Sequence, residues 1–415
     1  MKNLKGACMF AQSGGPTSVI NSSAAGVFLE ALNSPEITKV YGAAHGIKGV
    51  LDEQFYDIGL EDKKELELLK YTPSSALGSV RYKLKDVSVD DTDYKRILEV
   101  FKKYDIRYFF YNGGNDSMDT CNKISKFLNG SGWDCNVIGV PKTIDNDLFG
   151  TDHCPGFASA AKYIATTLME INLDAKVYNT GMVCVIEVMG RNAGWLTAAA
   201  SLAGYKGLGA DLIYLPEVAF DVDKFVSDVE GVLAKNDSKC IAVVSEGIKL
   251  ADGRYVGEFT ASKTDLFGHA QLGGVGQMLA NVIKEKTGIK TRAIELSLMQ
   301  RCGAHLASKV DVEEAFGAGA EAVKAAVSGE TDKMVCFERD MSTGRYVCKY
   351  KLLPLELAAN TEKTVPLDWI TNNGTALSDK FVEYALPLIQ GDAKAPLEDG
   401  LPRFAKLKKV LVEKL

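Results

Sequence analysis

Several features that mark large protein classes are scarce in this 415-residue sequence. It has only four histidines, none of them paired at metal-ligand spacing, which argues against a zinc site. No C-x-x-C pair occurs among the nine cysteines. Their odd number and wide spacing favour buried thiols in a reducing compartment over a disulfide framework. We therefore expect a cytoplasmic protein without structural zinc.

Long apolar runs and basic runs are also missing. A membrane-spanning helix needs about 18 consecutive apolar residues, and no run here approaches that length. The N-terminal apolar stretch is short and ends in a Gly-Gly-Pro turn, so we expect no secretory signal. A net charge of −6 without Lys/Arg clusters argues against nucleic-acid binding. With 46% hydrophobic and 25% charged residues, the sequence is typical of a globular protein.

What the sequence does contain is an alternation of short apolar runs and helix-like stretches. Each run leads into a polar loop that carries glycine or a carboxylate. The runs are Ala7–Ala11, Tyr108–Tyr111, Val137–Val140, Val183–Val188 and Ile241–Val244. Continuous apolar runs of this length predict strands buried on both faces, as in parallel sheets covered by helices. We predict helices over Ala24–Leu32 and over Val312–Val327, the second stopped by Ser328-Gly329.

The loops that follow these strands carry the candidate chemistry, because ligands bind beyond the carboxyl ends of parallel strands. Neither G-x-x-x-x-G-K-[ST] nor G-x-G-x-x-G is present, and the nearest approach, at Gly317–Ala322, lies inside a helical pattern. The first loop contains Gly14 and Gly15, which let the backbone approach an anion, and Pro16, which suits the first turn of a following helix. A plain tight turn is the alternative.

The loop PKTIDND, residues 141–147, is the sharpest signal. Asp145 can accept a proton from an attacking hydroxyl, while Asp147 orients that hydroxyl or holds Mg²⁺. The alternative is an Asx-turn that caps the next helix. A second acidic group, at Asp86, Asp90, Asp91 and Asp93, is interleaved with lysines and is interpreted as an exposed loop rather than a metal site.

Together these segments resemble the phosphofructokinase superfamily. The motifs that carry the resemblance, in order, are QSGGPTSVIN, GSVR, GGNDS, PKTIDND, VMGRNAGW, SEG and Arg292 with Gln300-Arg301. They extend from about residue 5 to at least residue 310. The resemblance implies two Rossmann-like, doubly wound domains of mainly parallel sheet, with the active site in the cleft between them. It also implies phosphorylation of the 1-hydroxyl of fructose 6-phosphate in glycolysis, with Mg²⁺ as cofactor.

The resemblance also implies roles for individual residues. The catalytic residues would be Asp145 as the base, Thr143 and Asp147 in support, and Arg191 and Lys142 beside the transferring group. The phosphoryl donor would lie against Gly14, Gly15, Arg81, Asn115, Asp116, Ser117 and Lys142. The sugar phosphate would contact Thr143, Asp145, Met189, Gly190, Arg191, Glu246, Arg292 and Arg301. The metal ligands would come from Asp116, Asp145 and Asp147.

Asp116 and Lys142 point to pyrophosphate as the donor. ATP-using members of the superfamily commonly have glycine at both places, whereas this sequence resembles the pyrophosphate-using members. A carboxylate at Asp116 adds bulk and negative charge where the rest of ATP would pass, and Lys142 supplies a cation to a small, highly charged donor. The alternative for Asp116 is an ordinary helix N-cap.

The sequence departs from the superfamily pattern at a few places. Asn115 stands where many relatives have an aspartate that helps hold Mg²⁺, and Leu298 where His or Tyr is common beside the sugar phosphate. Met182 stands where many relatives carry a basic residue that reaches from a neighbouring subunit. His269 lies in a segment that resembles the pyrophosphate-using members, and its role is open.

We expect residues 1–158 with about 300–350 to form the donor domain. Residues 159–299 with about 351–395 would form the sugar-phosphate domain, and 396–415 a tail. Pyrophosphate and fructose 6-phosphate are the expected partners, in a homodimer or homotetramer that binds neither nucleic acid nor membrane. An ATP-dependent enzyme and a non-catalytic regulatory subunit are the alternatives, and a seven-carbon sugar phosphate is an alternative substrate.

Overall fold

A computed structural model describes residues 4–259, 274–359 and 361–414. His269 lies outside the described residues. The strands are β1 Gly6–Gln12, β2 Ile37–Ala43, β3 Phe55–Asp57, β4 Ile106–Gly113, β5 Asn136–Pro141, β6 Met182–Val188, β7 Leu212–Tyr214, β8 Lys239–Ser245, β9 Lys290–Glu295, β10 Lys333–Asp340, β11 Val347–Pro354, β12 Ile370–Thr371, β13 Ala376–Leu377, β14 Leu397–Glu398 and β15 Leu401–Pro402.

Helices alternate with these strands along most of the chain, and none in the described ranges is long and apolar enough to cross a membrane. They are α1 Ile20–Asn33, α2 Ile47–Leu51, α3 Lys63–Leu68, α4 Thr92–Lys103, α5 Asn115–Gly130, α6 Phe157–Ala175, α7 Trp195–Ala198, α8 Ser201–Gly204, α9 Val222–Leu233, α10 Val275–Thr287, α11 Met299–Cys302, α12 Lys309–Val327, α13 Leu355–Ala358 and α14 Asp379–Ala385.

The larger sheet has seven strands in the order β11-β10-β5-β4-β1-β2-β3. Its centre is parallel, and the pairs at its two ends, β10 with β11 and β2 with β3, are antiparallel. Side chains along β1 alternate between two cores: Met9 packs into one and Phe10 into the other. Burial on both faces explains why the strands were visible as continuous apolar runs.

The second sheet has four parallel strands in the order β7-β8-β6-β9. Its faces are also both covered, because Val183 and Cys184 on β6 belong to separate cores. Each apolar run predicted from the sequence lies within a strand of one of these two sheets, and the predicted α/β class is confirmed.

The larger sheet is assembled from two separate parts of the chain. Strands β1 to β5 come before the second sheet, and β10 and β11 come after it. The predicted domain boundaries stay a prediction, although β11 continues past residue 350 within the larger sheet. The tail runs beside β3, where Val410 O accepts the Asp57 N–H at 2.9 Å and Val412 N–H donates to Phe55 O at 2.8 Å.

Helices α1 and α12 pack closely on the larger sheet. A Cβ on Gly26 of α1 would overlap the Phe316 carbonyl of α12, and a Cβ on Gly319 of α12 would overlap the Ser23 carbonyl of α1. The two glycines therefore allow the backbones to approach. This explains Gly319 in the Gly317–Ala322 stretch, which lies within a helix as predicted, whereas a Cβ on Gly317 would overlap the Tyr350 hydroxyl. Helix α12 ends with Ser328 as its C-cap, followed by Gly329 at a φ of 94°.

Candidate active site

A cleft of about 630 Å³ contains most of the predicted site residues. Loops after β1, β4 and β5 of the larger sheet and after β6 and β8 of the second sheet line it, so the carboxyl ends of both sheets face one space. Predicted residues in its lining are Gly14, Gly15, Arg81, Asn115, Asp116, Ser117, Lys142, Thr143, Asp145, Asp147, Met189, Arg191 and Glu246.

The first loop lies in the cleft. The helix that follows it does not begin at Pro16, where the sequence predicted its first turn. Helix α1 begins at Ile20, well after Pro16, so the prediction that Pro16 occupies its first turn is wrong. The loop is instead tied down by contacts of its backbone. Ser79 Oγ donates to Gly14 O at 2.6 Å, and Lys142 Nζ donates to Gly15 O at 2.7 Å. Gly14 has a φ of 76°, a conformation that favours glycine.

Helix α5 supplies the helix N-terminus that the first loop lacks. Its N-cap is Gly114, and Asn115 to Ser117 line the cleft within its first turn. Free N–H groups and the positive end of the helix dipole therefore lie against the cleft. Asp116 is exposed there and is not the N-cap, so the capping alternative for this residue is wrong.

The loop after β5 is buried and held by local hydrogen bonds. Thr143 Oγ1 accepts the Asp145 N–H at 3.1 Å, and Asn115 Nδ2 donates to Asp147 Oδ2 at 3.0 Å. The capping alternative is wrong here as well, since the next helix begins only at Phe157. At that helix N-terminus, the Asp311 carboxylate accepts the N–H groups of Gly156 and Ser159, both at 2.9 Å.

Burial in the cleft opposes every charge of this loop. It lowers the pKa of Lys142 to about 8, although Asp145 acts in the opposite direction. It raises the pKa of Asp145, which Lys142 and Arg191 partly counter. It also raises the pKa of Asp147 to about 7, with help from Asp145 and Glu362. Two carboxylates and a lysine thus share a desolvated site, which favours binding of a ligand that compensates them.

The opposite wall is formed by the loops after β6 and β8. Gly190 N–H donates to Glu246 Oε1 at 3.2 Å, and Ser245 Oγ donates to Gly190 O at 2.6 Å. Gly190 has a φ of 131°, which favours glycine. Burial raises the pKa of Glu246 to about 7. Arg191 projects a cation into the same cleft.

The structure separates the two arginines predicted to bind the sugar phosphate. Arg301 lies at the cleft: its Nη1 is 3.0 Å from where a Cβ on Gly15 would be. Its neighbour Gln300 accepts the Met189 N–H at 3.2 Å, which anchors α11 to the opposite wall. Arg292 is exposed on β9, the last strand of the second sheet, and lines a different pocket together with Met182.

Comparison with known proteins agrees with this geometry. The family model Phosphofructokinase matches residues 7–326. The chain belongs to the phosphofructokinase family.

A pyrophosphate–fructose 6-phosphate 1-phosphotransferase of Halomonas elongata is 44% identical over 410 residues, covering 98% of this chain and 97% of that protein. A protein of the same name from Xanthomonas campestris is 43% identical over 413 residues, covering 99% and 98%. The crystal structure of a pyrophosphate-dependent phosphofructokinase from Nitrosospira multiformis has a TM-score of 0.90 at 41% identity, covering 99% and 98%.

Two places where the chain departs from the family pattern are now located. Leu298 is 55% exposed at the start of α11, and Met182 is buried at the start of β6.

The acidic loop around Asp86 is exposed and makes local ion pairs, such as Lys85 with Asp90 at 2.9 Å. It lies outside the cleft lining, in agreement with its interpretation as a solvated loop.

Sequence reasoning missed Glu362 in the lining of the cleft. This residue pairs as an isolated bridge with Leu148, and its Oε1 accepts a hydrogen bond from Asn192 Nδ2 at 3.0 Å. Asn192 itself was also missed, although it follows Arg191 directly within a recognised motif. Glu362 had no such signal, because it stands far from every motif in the sequence.

A divalent metal is expected for this family, and the chemistry of the cleft fits one. Asn115 Oδ1 is buried and has no hydrogen-bond partner among the described residues. Asp147 is its neighbour. The same part of the chain has no cluster of three or more His, Cys, Asp or Glu side chains arranged for a metal, so Asp116, Asp145 and Asp147 do not form a preassembled site. Mg²⁺ commonly takes one or two carboxylates and completes its shell with substrate phosphates and water.

Proposed function

We propose that this chain transfers a phosphoryl group from pyrophosphate to the 1-hydroxyl of fructose 6-phosphate, giving fructose 1,6-bisphosphate and phosphate. The single observation that carries the proposal is the arrangement of Asp116, Lys142 and Asp145 around one cleft. Asp116 disfavours a donor larger than pyrophosphate, and Lys142 supplies a cation to a small anionic donor. Asp145 can remove a proton from a hydroxyl. The names of the relatives support the same assignment.

Asp145 is the general base of the proposed reaction. Its raised pKa, caused by burial, brings a carboxylate closer to the pH at which a base works best. The 1-hydroxyl loses its proton to Asp145 while its oxygen attacks the donor phosphorus in line with the leaving phosphate. Thr143 holds the Asp145 backbone through the hydrogen bond to its N–H.

Charge on the transferring group is met by Lys142, Arg191 and the N-terminus of α5. Lys142 is held in the site by its bond to Gly15 O, so little reorganisation is needed when the donor binds. Asp116, Asp145 and Asp147 would hold Mg²⁺, the last two through water, and Asn115 Oδ1 would add a neutral oxygen. When bound, this ion neutralises phosphate oxygens and orients the donor.

We assign Gly14, Gly15, Arg81 and Ser117 to the donor and Met189, Gly190, Glu246 and Arg301 to the sugar phosphate. Because phosphate esters and pyrophosphate have comparable phosphoryl potential, the reaction should run in both directions. A role in glycolysis in the cytoplasm follows as part of the proposal, as does the division into a donor and a sugar domain.

Initial rates decide the donor. Pyrophosphate and ATP are compared at equal concentrations of fructose 6-phosphate and Mg²⁺, with the Asp145→Asn variant as control for contaminating activity. A rate with pyrophosphate that exceeds the rate with ATP supports the proposal. A preference for ATP would make the chain an ATP-dependent enzyme, and no turnover with either donor would favour a regulatory subunit. Sedoheptulose 7-phosphate in the same assay tests the seven-carbon alternative.

We further propose that the chain works as a homo-oligomer in which Arg292 serves the cleft of a second copy. Arg292 lies on β9, outside its own cleft, and is exposed. The pocket that Arg292 lines also includes residues of α6. Three exposed apolar side chains stand next to those residues in the sequence: Leu173, Val177 and Tyr178.

A mixing experiment tests the assembly. Chains carrying Arg292→Ala and chains carrying Asp145→Asn are each expected to be poorly active. Co-expressed, they should form hybrid oligomers in which some clefts have both residues, so activity should reappear. Additive low activity, or a monomer by light scattering, would contradict the proposal.

A further inference from the structure

Behind the loop of Asp145 and Asp147 lies a second group of charges, which we call the His153 cluster: the buried His153 and Glu314 with the partly buried Asp152 and Arg339. His153 is 1% exposed. Its Nδ1 lies 2.8 Å from Asp152 Oδ2, and its Nε2 lies 2.7 Å from Glu314 Oε2. Arg339 donates to both oxygens of Asp152, at 3.1 and 3.0 Å.

The geometry sets the protonation state of His153. Asp152 also accepts hydrogen bonds from Arg339, and Glu314 Oε1 accepts one from Tyr346 OH at 2.6 Å. An ionised carboxylate can only accept hydrogen bonds, so both ring nitrogens of His153 must donate. Only the protonated ring, the imidazolium, carries a hydrogen on both nitrogens. Burial opposes this charge, but Glu314 and Asp152 outweigh it and raise the pKa of His153. Within the cluster, two positive charges therefore face two negative ones.

Hydrogen bonds connect this cluster to the catalytic loop through Asn146. This residue is buried between the two catalytic carboxylates in sequence, at a φ of 56°. Both ends of its side chain are held. Asn146 Nδ2 donates to Tyr384 OH at 2.8 Å, and Asn146 Oδ1 accepts the Cys154 N–H at 2.9 Å. Tyr384 OH in turn donates to the Asp152 carbonyl at 2.8 Å, and Arg339 donates to the Tyr384 carbonyl at 2.9 Å.

We propose that the His153 cluster is a positioning element for phosphoryl transfer. The cluster holds the segment 152–154 and Tyr384 in place. That segment and Tyr384 hold the Asn146 side chain, and Asn146 in turn sets the orientation of Asp145 and Asp147. His153 and Tyr384 touch no substrate in this account and act only through Asn146. The inference rests on the proposed function, since its main readout is that reaction. Asparagine adopts the left-handed conformation when its side chain is hydrogen-bonded, and here both ends of the Asn146 side chain are bonded.

A matched pair of tyrosine variants tests the connection. Tyr384→Phe removes the hydroxyl that contacts Asn146, while Tyr346→Phe removes a hydroxyl that contacts only Glu314 among these groups. Each variant loses one buried hydroxyl, so both should lose some stability. Since a misplacement of about 1 Å can cost about 10²-fold in rate, we expect Tyr384→Phe to lower kcat about tenfold or more, with each KM changed less than about twofold.

Tyr346→Phe removes one hydrogen bond of Glu314 but leaves the contacts of Asn146 in place, so it should lower kcat by less than about twofold. Equal kcat values for the two variants would overturn the inference. If wild type itself fails to use pyrophosphate, the proposed function and the inference fall together. An active wild type with an unimpaired Tyr384→Phe variant sinks the inference alone.

The charge balance is tested by a double-mutant cycle. His153→Gln removes a positive charge from the cluster, and Glu314→Gln removes a negative one, so the double variant is again balanced. We expect kcat to fall in His153→Gln and to recover in part in the double variant, which coupled neighbours allow. Simple additivity of the two losses would show that charge balance does not position the loop. Should His153→Gln fail to fold, the tyrosine pair still decides.

Discussion

Two groups of charges, one around Asp145 and one around His153, differ in how well their hydrogen-bonding and charge partners satisfy them. Around His153, each carboxylate has at least two charged or hydroxyl partners, and hydrogen bonds from His153 and Arg339 lower the pKa of Asp152 despite burial. Around Asp145, burial dominates: the pKa values of Asp145 and Asp147 are raised and that of Lys142 is lowered.

The charges around His153 stabilise the fold, whereas the charges around Asp145 remain available to a ligand. A balanced cluster contributes to the native state as it stands, and removing one member leaves the rest uncompensated. An unbalanced cluster is a cost to folding, and its perturbed pKa values are typical of functional sites. Mutations should therefore have opposite consequences in the two places.

The largest expected effect is on catalysis at Asp145. Loss of a general base costs about 10²–10⁴-fold, so Asp145→Asn should lower kcat by that factor while fructose 6-phosphate still binds. The free energy of unfolding should not fall, because the change removes a buried acid whose desolvation Lys142 and Arg191 only partly counter. Steady-state kinetics and urea denaturation measure both quantities. A variant that keeps more than a tenth of wild-type kcat would remove Asp145 from the role of base.

Asp152→Asn should show the reverse pattern in stability. Breaking a buried ion pair by removing one partner costs about 3–5 kcal/mol, since His153 and Arg339 would lose their shared carboxylate. Asp147→Asn is the control from the other cluster, and its free energy of unfolding should be equal to or higher than that of wild type. If both variants lose the same stability, the contrast between the two clusters is wrong.

The donor preference should respond to Asp116 and Lys142. Loss of a charged hydrogen-bond partner costs about 1.5–3 kcal/mol, so Lys142→Gly should weaken use of pyrophosphate accordingly. Asp116→Gly should raise the ratio of kcat/KM for ATP to that for pyrophosphate by more than about twofold, and the double variant should raise it further, since neighbours in one site need not be additive. An unchanged ratio in Asp116→Gly would leave the donor assignment without a physical basis.

The smallest effect is a pH dependence that separates activity from stability. Asp147, with its pKa raised to about 7, should lose its charge as pH falls below that value, and kcat/KM should then decline. Because its folded pKa lies above the unfolded value of about 3.9, protonation favours the folded state. The lowered pKa of Asp152 protects the fold until pH falls below that unfolded value. Between about pH 7 and pH 5, activity should fall without unfolding. Parallel denaturation curves check this.

The sequence predicted those parts of the site that are local. The strands were visible because burial on both faces leaves continuous apolar runs, and Thr143, Asp145 and Asp147 lie in one short loop after such a strand. Glu362 could not be predicted, since only tertiary structure brings it beside Asp147. Arg292 shows a different limit: its motif was recognised, but the sequence does not say that it lies outside its own cleft.

The error at Pro16 has a physical reason. A proline after a Gly-Gly turn is a common start for a helix, yet here the stretch up to Val19 is used for other contacts. Thr17 packs where a Cβ on Gly156 would lie, and its Oγ1 accepts the Val19 N–H at 3.1 Å. The helix begins only where these contacts end. The preference of proline for the first turn of a helix is overridden here by the contacts of Thr17.

The split origin of the larger sheet has a consequence for biosynthesis. A ribosome completes every strand of the second sheet before it reaches β10, so the nascent chain carries an unfinished larger sheet with β5 as an open edge. The face of α1 that receives α12 is also bare until Lys309–Val327 has been made. Open edges and exposed apolar helices attract chaperones and proteases. Ribosome-bound chains arrested before Lys333 should accordingly be cleaved faster by added protease than chains arrested after the whole of β11 has emerged.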